Sequence, residues 1–368
     1  MDKLIVIDGN SIANRAFYAL PLLSNSGGLH TNAVYGFTTM LLRLLEEEKP
    51  THMMVAFDAG KATFRHEEYE DYKAGREKTP PELSEQFPLI RELVDSLSIF
   101  RYELEGYEAD DIIGTITRLA DERKDVQVLV VTGDKDMLQL ASDNVTIALT
   151  RKGISEVERF DPDRIREVYG LAPAQIIDLK GLMGDSSDNI PGIPGVGEKT
   201  ALKLLHEYGS VEGVLEHAGE LKGKMKEKVE AHREDALKSK ALATIFREVP
   251  LDTDWEKLRF QGFDKQQAAA LFRKLEFKSL LERLDLTGPG AAETEPESEQ
   301  PDFELVTSGN IAEWAGRLER THAVHIEAAG DNPHNAEVLG IALFDGETAG
   351  FVPAELLRSD AAAPIRDW

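Results

Sequence analysis

Acidic residues follow three short apolar segments within the first 140 residues of the sequence. The segments span 4–7, 53–57 and 126–131, and they are followed by Asp8, Asp58 and Asp134. If the segments are parallel strands of one sheet, these aspartates meet at its carboxyl edge, where open α/β sheets bind ligands. Further acids stand in predicted helix starts and turns: Glu108, Asp110, Asp111, Asp136, Asp185 and Asp188.

This set of carboxylates predicts a metal site. Acids crowded into one crevice raise one another's pKa, and divalent cations relieve the repulsion. Oxygen ligands suit Mg²⁺ or Mn²⁺. Two such ions about 4 Å apart stabilise the attacking and leaving oxygens of in-line phosphodiester cleavage. The predicted chemistry is therefore two-metal hydrolysis of a phosphodiester.

Each part of the acidic set also has a purely structural interpretation. Asp8-Gly9-Asn10 fits a turn closed by the aspartate side chain. Glu108 and Asp110 fit the start of a helix, where caps and acids are favoured. Residues 185–189 fit a solvated loop, and Asp185 and Asp188 share a face only if that segment is helical.

Residues 61–80 combine cations with aromatic rings. Wound as a helix, the segment presents one basic and aromatic face, formed by Arg65, Tyr69, Tyr72, Lys73 and Arg76. Such a face suits a nucleic-acid strand, because cations meet phosphates and rings stack on bases. The alternative is a solvated helix with ion pairs between successive turns.

A glycine-rich string, 190–201, precedes an apolar helical run. Its Gly195-Val196-Gly197 turn exposes backbone N–H groups beside a helix start, which can hold a phosphate without reading bases. Lys199 adds positive charge. The spacing is not that of a Walker loop. The string indicates a helix-hairpin-helix, and an ordinary helix-helix turn is the alternative.

The composition sets the class of protein. The 368 residues carry a net charge of −25, which argues against a general polyanion binder. Carboxylates that hold cations are neutralised when the site is loaded, and DNA binding needs only a local basic face. The absence of cysteine excludes disulfides and thiolate metal sites. With no signal-peptide pattern and no long apolar run, we expect a cytoplasmic protein.

The elements that carry these residues predict an α/β fold with a central, mostly parallel sheet flanked by helices. Helical patterns cover 34–48, 84–97 and 109–123, and residues 160–285 are mostly helical with a break at 191–197. Residues 288–302 have the composition of a linker. A new pattern begins at 303, with a helix near 310–320 and strands near 323–328, 338–344 and 349–352. Its length is small for an independent core, so a truncated domain is expected.

Seven strings together resemble the 5′ nuclease (flap endonuclease) domain of the bacterial DNA polymerase I family, a PIN/FEN-like fold. They are Ile7-Asp8-Gly9-Asn10, Phe57-Asp58-Ala59-Gly60 with 63–65, Tyr72-Lys73-Ala74-Gly75-Arg76, 106–111, 132–136, 184–189 and the glycine hairpin. They lie in the family's order over about residues 1–285. The resemblance implies domains at 1–172 (catalytic, with an arch at about 61–90), 173–287 (helical, with the hairpin), the linker 288–302, and 303–368.

The resemblance also implies roles for residues. Asp8, Asp58, Glu108 and Asp110 would serve a first metal, and Asp134, Asp136, Asp185 and Asp188 a second, with sharing through Asp110 or Asp111. Lys73 and Arg76 would act in catalysis by steering the scissile phosphate together with Arg65, while Tyr72 stacks on a base and Arg15 meets a phosphate. Gly192, Gly195, Gly197 and Lys199 would grip duplex DNA, with a potassium ion at the hairpin.

The function so implied is that of a structure-specific 5′-3′ exonuclease and flap endonuclease. Its substrates would be 5′ flaps and nicked or gapped duplexes in primer removal and repair, and we expect a monomer acting in the nucleoid. No polymerase module is recognisable. The last segment resembles the start of a 3′–5′ exonuclease-like domain, but His325-Ile326-Glu327 stands where active members carry Asp-x-Glu, which predicts a vestigial site. A non-catalytic DNA clamp and a small-molecule phosphatase are the alternatives.

Overall fold

The chain forms two compact units, Met1–Thr287 and Gly288–Trp368. The computed structural model describes residues 1–60, 63–76, 78–151, 156–252, 254–284, 302–320, 323–329, 337–346 and 348–368. The predicted linker 288–302 therefore lies outside the described residues except at its last position.

A six-stranded sheet forms the centre of the first unit, in the order β3-β2-β1-β4-β5-β6. Its strands are β1 (Asp2–Asp8), β2 (His52–Ala56), β3 (Phe100–Tyr102), β4 (Val126–Thr132), β5 (Val145–Thr150) and β6 (Val157–Phe160). All neighbouring pairs are parallel except β5 with β6. The predicted α/β class is thus confirmed. The prediction located β1, β2 and β4 and did not identify the other three strands.

The central strand β1 is apolar from Leu4 to Ile7 because both faces of the sheet are covered. Ile5 and Ile7 face one core together with Phe37, whereas Leu4 and Val6 face the other. These four apolar side chains of β1 have no exposed surface. The helices of this half are α1 (Gly9–Ala19), α2 (Asn32–Glu48), α3 (Phe64–Glu68), α4 (Pro81–Ser84), α5 (Gln86–Ser96) and α6 (Ala109–Arg123).

The rest of the first unit is helical, as predicted. Its helices are α7 (Pro162–Tyr169), α8 (Ile176–Met183), α9 (Glu198–Tyr208), α10 (Val211–Glu216), α11 (Lys224–Ala231), α12 (Arg233–Ala243), α13 (Lys265–Lys274) and α14 (Lys278–Arg283). Leu182, Leu205 and Val214 belong to a separate core that α8 to α12 share. Phe272 of α13 instead packs into one of the two cores beside the sheet.

The second unit has its own four-stranded sheet, in the order β7-β10-β9-β8. The strands are β7 (Asp302–Leu305), β8 (Ala323–Ala329), β9 (Glu337–Phe344) and β10 (Thr348–Pro353), and the helices are α15 (Ile311–Arg317), α16 (Ala354–Leu357) and α17 (Ala363–Asp367). Trp314 is buried at the centre of its core. The predicted helix and three strands are confirmed, and β7 was not predicted. Among the described helices of the whole chain, none is long and apolar enough to cross a membrane.

Candidate active site

Acidic side chains converge at the carboxyl edge of the first sheet. They line a cavity of about 1140 Å³, and they are Asp8, Asp58, Glu108, Asp110 and Asp134. Asp8 ends β1, Asp58 and Asp134 follow β2 and β4, and Glu108 and Asp110 lie at the start of α6. The convergence follows from strand order, because β1 lies between β2 and β4 and all three run in the same direction.

Backbone and hydroxyl donors fix three of these carboxylates. Asp8 accepts from the Ser11 backbone N–H at 3.0 Å and from the Thr132 hydroxyl at 2.8 Å. Asp58 accepts from the Ala109 N–H at 2.8 Å. The Asp134 Oδ1 atom accepts from the Asp136 N–H, also at 2.8 Å. Asp8 caps α1, so its structural role in a turn coexists with its place in the cavity.

Asp110 has no such partner. Within the described residues, its carboxylate makes no hydrogen bond and no ion pair. Burial raises its pKa well above the ordinary value, and the charges of Asp8 and Asp134 raise it further. Burial also raises the pKa of Asp58, and it raises that of Asp8 to about 7, where Asp58 adds repulsion. An oxygen-rich pocket with this unbalanced negative charge fits a divalent cation.

The remaining acids lie outside the lining of this cavity and are held by cations of the protein. Asp136 and Asp185 both contact the Lys180 ammonium, at 2.6 Å for Asp136. Asp188 pairs with Arg76. As the side chains stand, no three acidic or histidine residues in the described part of the chain are arranged to hold a metal ion. The carboxylates are thus neighbours rather than a preassembled set of ligands.

The segment that carries Asp185 and Asp188 is not helical. The Asp185 and Ile190 backbones bond to each other at 2.9 and 2.8 Å, closing a turn. The condition under which the two acids would share a helical face is therefore not met. Instead Asp185 bonds to Lys180, while Asp188 accepts from Tyr72 at 3.3 Å.

The structure contradicts a metal-ligand role for Asp111. Its side chain is fully buried and accepts from both terminal nitrogens of Arg65, at 2.7 and 2.8 Å. It also accepts from the backbone N–H groups of Phe246 at 2.9 Å and Glu108 at 3.2 Å. Both oxygens are thus occupied, and the carboxylate holds the start of α6 instead.

The predicted basic and aromatic helix over 61–80 is also wrong. Helix α3 ends at Glu68, and a turn follows in which Lys73 adopts a φ of 57°. Arg65 and Tyr72 are only 3% and 4% exposed, so neither can meet DNA as predicted. Arg65 pairs with Asp111 and the Tyr72 hydroxyl donates to Glu108 at 3.2 Å. Lys61, Ala62 and Glu77 of this segment lie outside the described residues.

Three cations of the same segment do reach the cavity, and they are Lys73, Arg76 and Lys78. Lys73 and Arg76 line it, and the Lys73 ammonium lies 2.7 Å from Glu108. The Lys73 N–H donates to the Asp188 carbonyl at 2.9 Å, and the Arg76 Nε donates to the Ser187 carbonyl at 3.1 Å. Arg15 lines the same cavity from α1. Positive charge therefore stands beside the acidic pocket.

Helices α8 and α9 flank the glycine hairpin, as predicted. Gly192 is buried with a φ of 58°, and its N–H donates to the Ser239 hydroxyl at 2.9 Å, so it is not available for a phosphate. Gly195 and Gly197 are exposed, as is Lys199. Gly197 precedes the first residue of α9, and a side chain there would meet nothing within 4 Å. The accessible part of the hairpin is thus Gly195 to Lys199.

Lys180 was not identified from the sequence, although it occupies a central place among the acids. The available signal was a single cation within the apolar run 176–183, five residues before Asp185. In the second unit, His325 Nε2 lies 3.2 Å from Glu327 Oε2, and both side chains are exposed.

Comparisons with known proteins agree with this architecture. Residues 3–170 match the family pattern "5'-3' exonuclease, N-terminal resolvase-like domain", and 171–266 match "5'-3' exonuclease, C-terminal SAM fold". DNA polymerase I of Bacillus subtilis (strain 168) is 53% identical over 355 residues, which are 96% of this chain and 40% of the relative. The chain therefore spans about 40% of the length of this curated relative.

Solved structures share the fold of the first unit. A T5 5′-exonuclease with bound divalent metal ions (zinc) has a TM-score of 0.55 at 22% identity, covering 75% of this chain and 98% of that protein. The catalytic core of Rad2 in complex with DNA substrate has a TM-score of 0.51 at 17% identity, covering 74% and 87%. These likenesses establish a PIN-like α/β fold.

Proposed function

This chain is a nuclease that belongs to the 5′-3′ exonuclease family and corresponds to the N-terminal part of bacterial DNA polymerase I, and on that premise we propose that it cuts DNA at 5′ flaps and at nicked or gapped duplexes. The described residues contain no polymerase module. We assign it to primer removal and repair in the nucleoid, where such substrates occur.

The observation that carries the proposal is the acidic cavity with cations beside it. Carboxylates of Asp8, Asp58 and Asp134 meet there with an unpartnered Asp110. A structural role explains a capped or paired carboxylate but not Asp110, which makes no hydrogen bond or ion pair with any described residue. Repulsion of this kind persists in a folded protein when function needs it.

We assign the first of two Mg²⁺ or Mn²⁺ ions to Asp8, Asp58, Glu108 and Asp110, and the second to Asp134 with the neighbouring Asp136, Asp185 and Asp188. When bound, such ions lower the pKa of a water molecule and neutralise charge on the phosphate. The solved T5 5′-exonuclease with divalent ions supports the use of metal in this fold.

Side chains of the chain itself would place the DNA. Lys73 and Arg76 stand at the cavity and can pair with a phosphate once it displaces Glu108 and Asp188. Arg15 of α1 offers a further cation at the cavity. The exposed amides near Gly197, with Lys199, can hold a duplex phosphate at the start of α9. A potassium ion at this hairpin remains a prediction.

The second unit is proposed to be the start of a 3′–5′ exonuclease-like domain. Its four-stranded sheet carries His325 and Glu327 on the edge strand β8. A histidine in place of the first acid removes one carboxylate from the site that active members of that class use. We propose that this unit is not a nuclease.

The test is a cleavage assay on a labelled 5′-flap duplex with and without Mg²⁺. We expect Mg²⁺-dependent release of the flap, and Asp134→Ala should abolish cutting while keeping DNA affinity. The matched control is Asp143→Ala, since this exposed acid precedes β5 at the opposite edge of the sheet. Tight DNA binding without cutting in any divalent ion would indicate that the protein is a non-catalytic DNA clamp. Hydrolysis of small phosphate esters alone would indicate a phosphatase.

A further inference from the structure

The two groups of acids differ in how their negative charge is balanced. Asp110 in the cavity has no hydrogen-bond or ion-pair partner among the described residues. In contrast, Asp136 and Asp185 share one ammonium group, that of Lys180. At the first place Lys73 holds Glu108 but leaves Asp110 open to an external cation, whereas at the next place one ammonium holds both Asp136 and Asp185.

The position of Lys180 is set by two elements of the fold. Lys180 lies in the last turn of α8, and Asp185 follows that helix directly, in the turn closed by Ile190. Asp136 comes instead from the residues after β4. The ammonium thus joins segments that are 44 or more residues apart in the sequence, at 2.6 Å from Asp136 Oδ1.

The bridge is largely shielded from water. The side chains of Lys180, Asp136 and Asp185 are 17%, 14% and 13% exposed. The Lys180 ammonium is therefore enclosed together with both carboxylates. A divalent ion that approached the same oxygens would meet this fixed positive charge at short range.

We propose that Lys180 is a positioning residue that occupies the second cation place between Asp136 and Asp185, so that a second divalent ion binds only after displacing its ammonium. The inference rests on the proposed two-metal function. It makes the two metal places unequal, because Lys180 holds two acids of the second place, whereas at the first place Lys73 pairs with Glu108 but Asp110 has no ion-pair partner among the described residues. The bridge also keeps Asp136 and Asp185 together when no metal is bound.

Manganese binding to the metal-free, DNA-free protein tests this proposal, with free Mn²⁺ measured by electron paramagnetic resonance. For the wild type we expect two classes of site, one clearly weaker. Lys180→Met keeps an unbranched stem of similar length but removes the ammonium group, and it should tighten the weak class at least about tenfold. Lys180→Gln should act in the same direction, which covers the case in which the methionine variant does not fold.

Lys240→Met is the matched control. Lys240 also joins two carboxylates, at 2.7 Å from both Asp178 and Glu212. Neither of these acids is among those assigned to a metal ion. We expect its Mn²⁺ isotherm to equal that of the wild type.

Two results would overturn the inference. One is a wild-type isotherm with two equal sites, and the other is unchanged or weaker Mn²⁺ binding when Lys180 is neutralised. If the protein still cuts flaps in Mg²⁺, only the role of Lys180 is wrong. Absence of both metal binding and cutting would instead refute the proposed function.

Discussion

Arg65 and Asp111 form a bidentate ion pair, with nitrogen to oxygen distances of 2.7 and 2.8 Å and both side chains buried. The Arg65 guanidinium also donates to the carbonyls of Leu242 at 3.1 Å and Thr244 at 2.9 Å. One pair therefore joins α3, the start of α6 and the end of α12. This relationship assigns both side chains to stability rather than to DNA or metal.

Replacement of Arg65 should consequently destabilise the fold. We expect Arg65→Ala to lower the free energy of unfolding by about 3–5 kcal/mol, because Asp111 is left charged and buried without its partner. Urea denaturation measures this. Arg101→Ala is the control, since it breaks more exposed pairs with Asp95 and Glu103 and should cost about 1 kcal/mol or less. A stable Arg65→Ala variant with weakened DNA affinity would restore the phosphate-contact role.

Lys73 should act on DNA in a salt-dependent way. Lys73→Ala is expected to slow flap cutting and to make the slope of log affinity against log salt less steep, by about one phosphate contact. The measurement is DNA affinity and cutting rate over a series of KCl concentrations. Lys257→Ala, an exposed cation paired with Asp252, should leave both quantities unchanged. A wild-type slope in Lys73→Ala would remove Lys73 from the DNA contact.

The crowded acids should make the metal-free protein less stable as pH rises. Burial raises the pKa of Asp8 and of Asp136 to about 7 in the folded protein, from an ordinary 3.8. Between these values the folded state binds more protons than the unfolded state, so its stability falls as pH increases. In EDTA we expect the Tm at pH 8 to lie several degrees below that at pH 5, since about 1 kcal/mol corresponds to roughly 2–4 °C.

A variant and a ligand isolate the contribution of the acids. Asp110→Asn removes one repelling charge, so it should raise the metal-free Tm at pH 8 more than at pH 5. Mn²⁺ should raise the Tm of the wild type at pH 8. Parallel pH profiles for Asp110→Asn and the wild type would show that these carboxylates do not govern the effect.

Substitution of two glycines of the hairpin should affect stability at one position and DNA binding at the other. A Cβ at Gly192 would stand 2.2 Å from the Gly184 nitrogen at a φ of 58°, so Gly192→Ala should cost about 1–3 kcal/mol of stability or more. Gly197 has an ordinary φ of −97° and open space, so Gly197→Ala should keep the Tm and weaken duplex binding. Thermal denaturation and a binding titration distinguish them. Equal Tm losses would contradict this division.

The second unit should lack exonuclease activity. We expect no Mg²⁺-dependent 3′–5′ degradation of single-stranded DNA beyond that of a Glu327→Gln variant, because His325 replaces an acidic ligand. The measurement uses a 3′-labelled strand and the Asp134→Ala background, which removes the proposed 5′ activity. Degradation that depends on Glu327 would show an active site there.

The sequence alone determined the fold class and the convergence of the strand-end acids. Asp8, Asp58 and Asp134 follow apolar segments, and parallel strands bring their ends to one edge whatever the loops between them do. The glycine hairpin was equally local, since its turn and the helix after it are encoded within 190–208. The short strands β3, β5 and β6 were missed because three to six residues carry little periodicity.

Tertiary structure alone decided which charges are free. Arg65 pairs with Asp111 across 46 positions and Tyr72 donates to Asp188 across 116, so neither partner is visible in a local pattern. The helical face assumed for 61–80 failed for the same reason, because long-range pairing and burial outweigh helix periodicity where α3 ends at Glu68 and a turn follows. Lys180 gained its significance only when folding placed Asp136 beside Asp185. An ion pair depends on the distance between its two groups in space and not on how far apart they lie in the sequence.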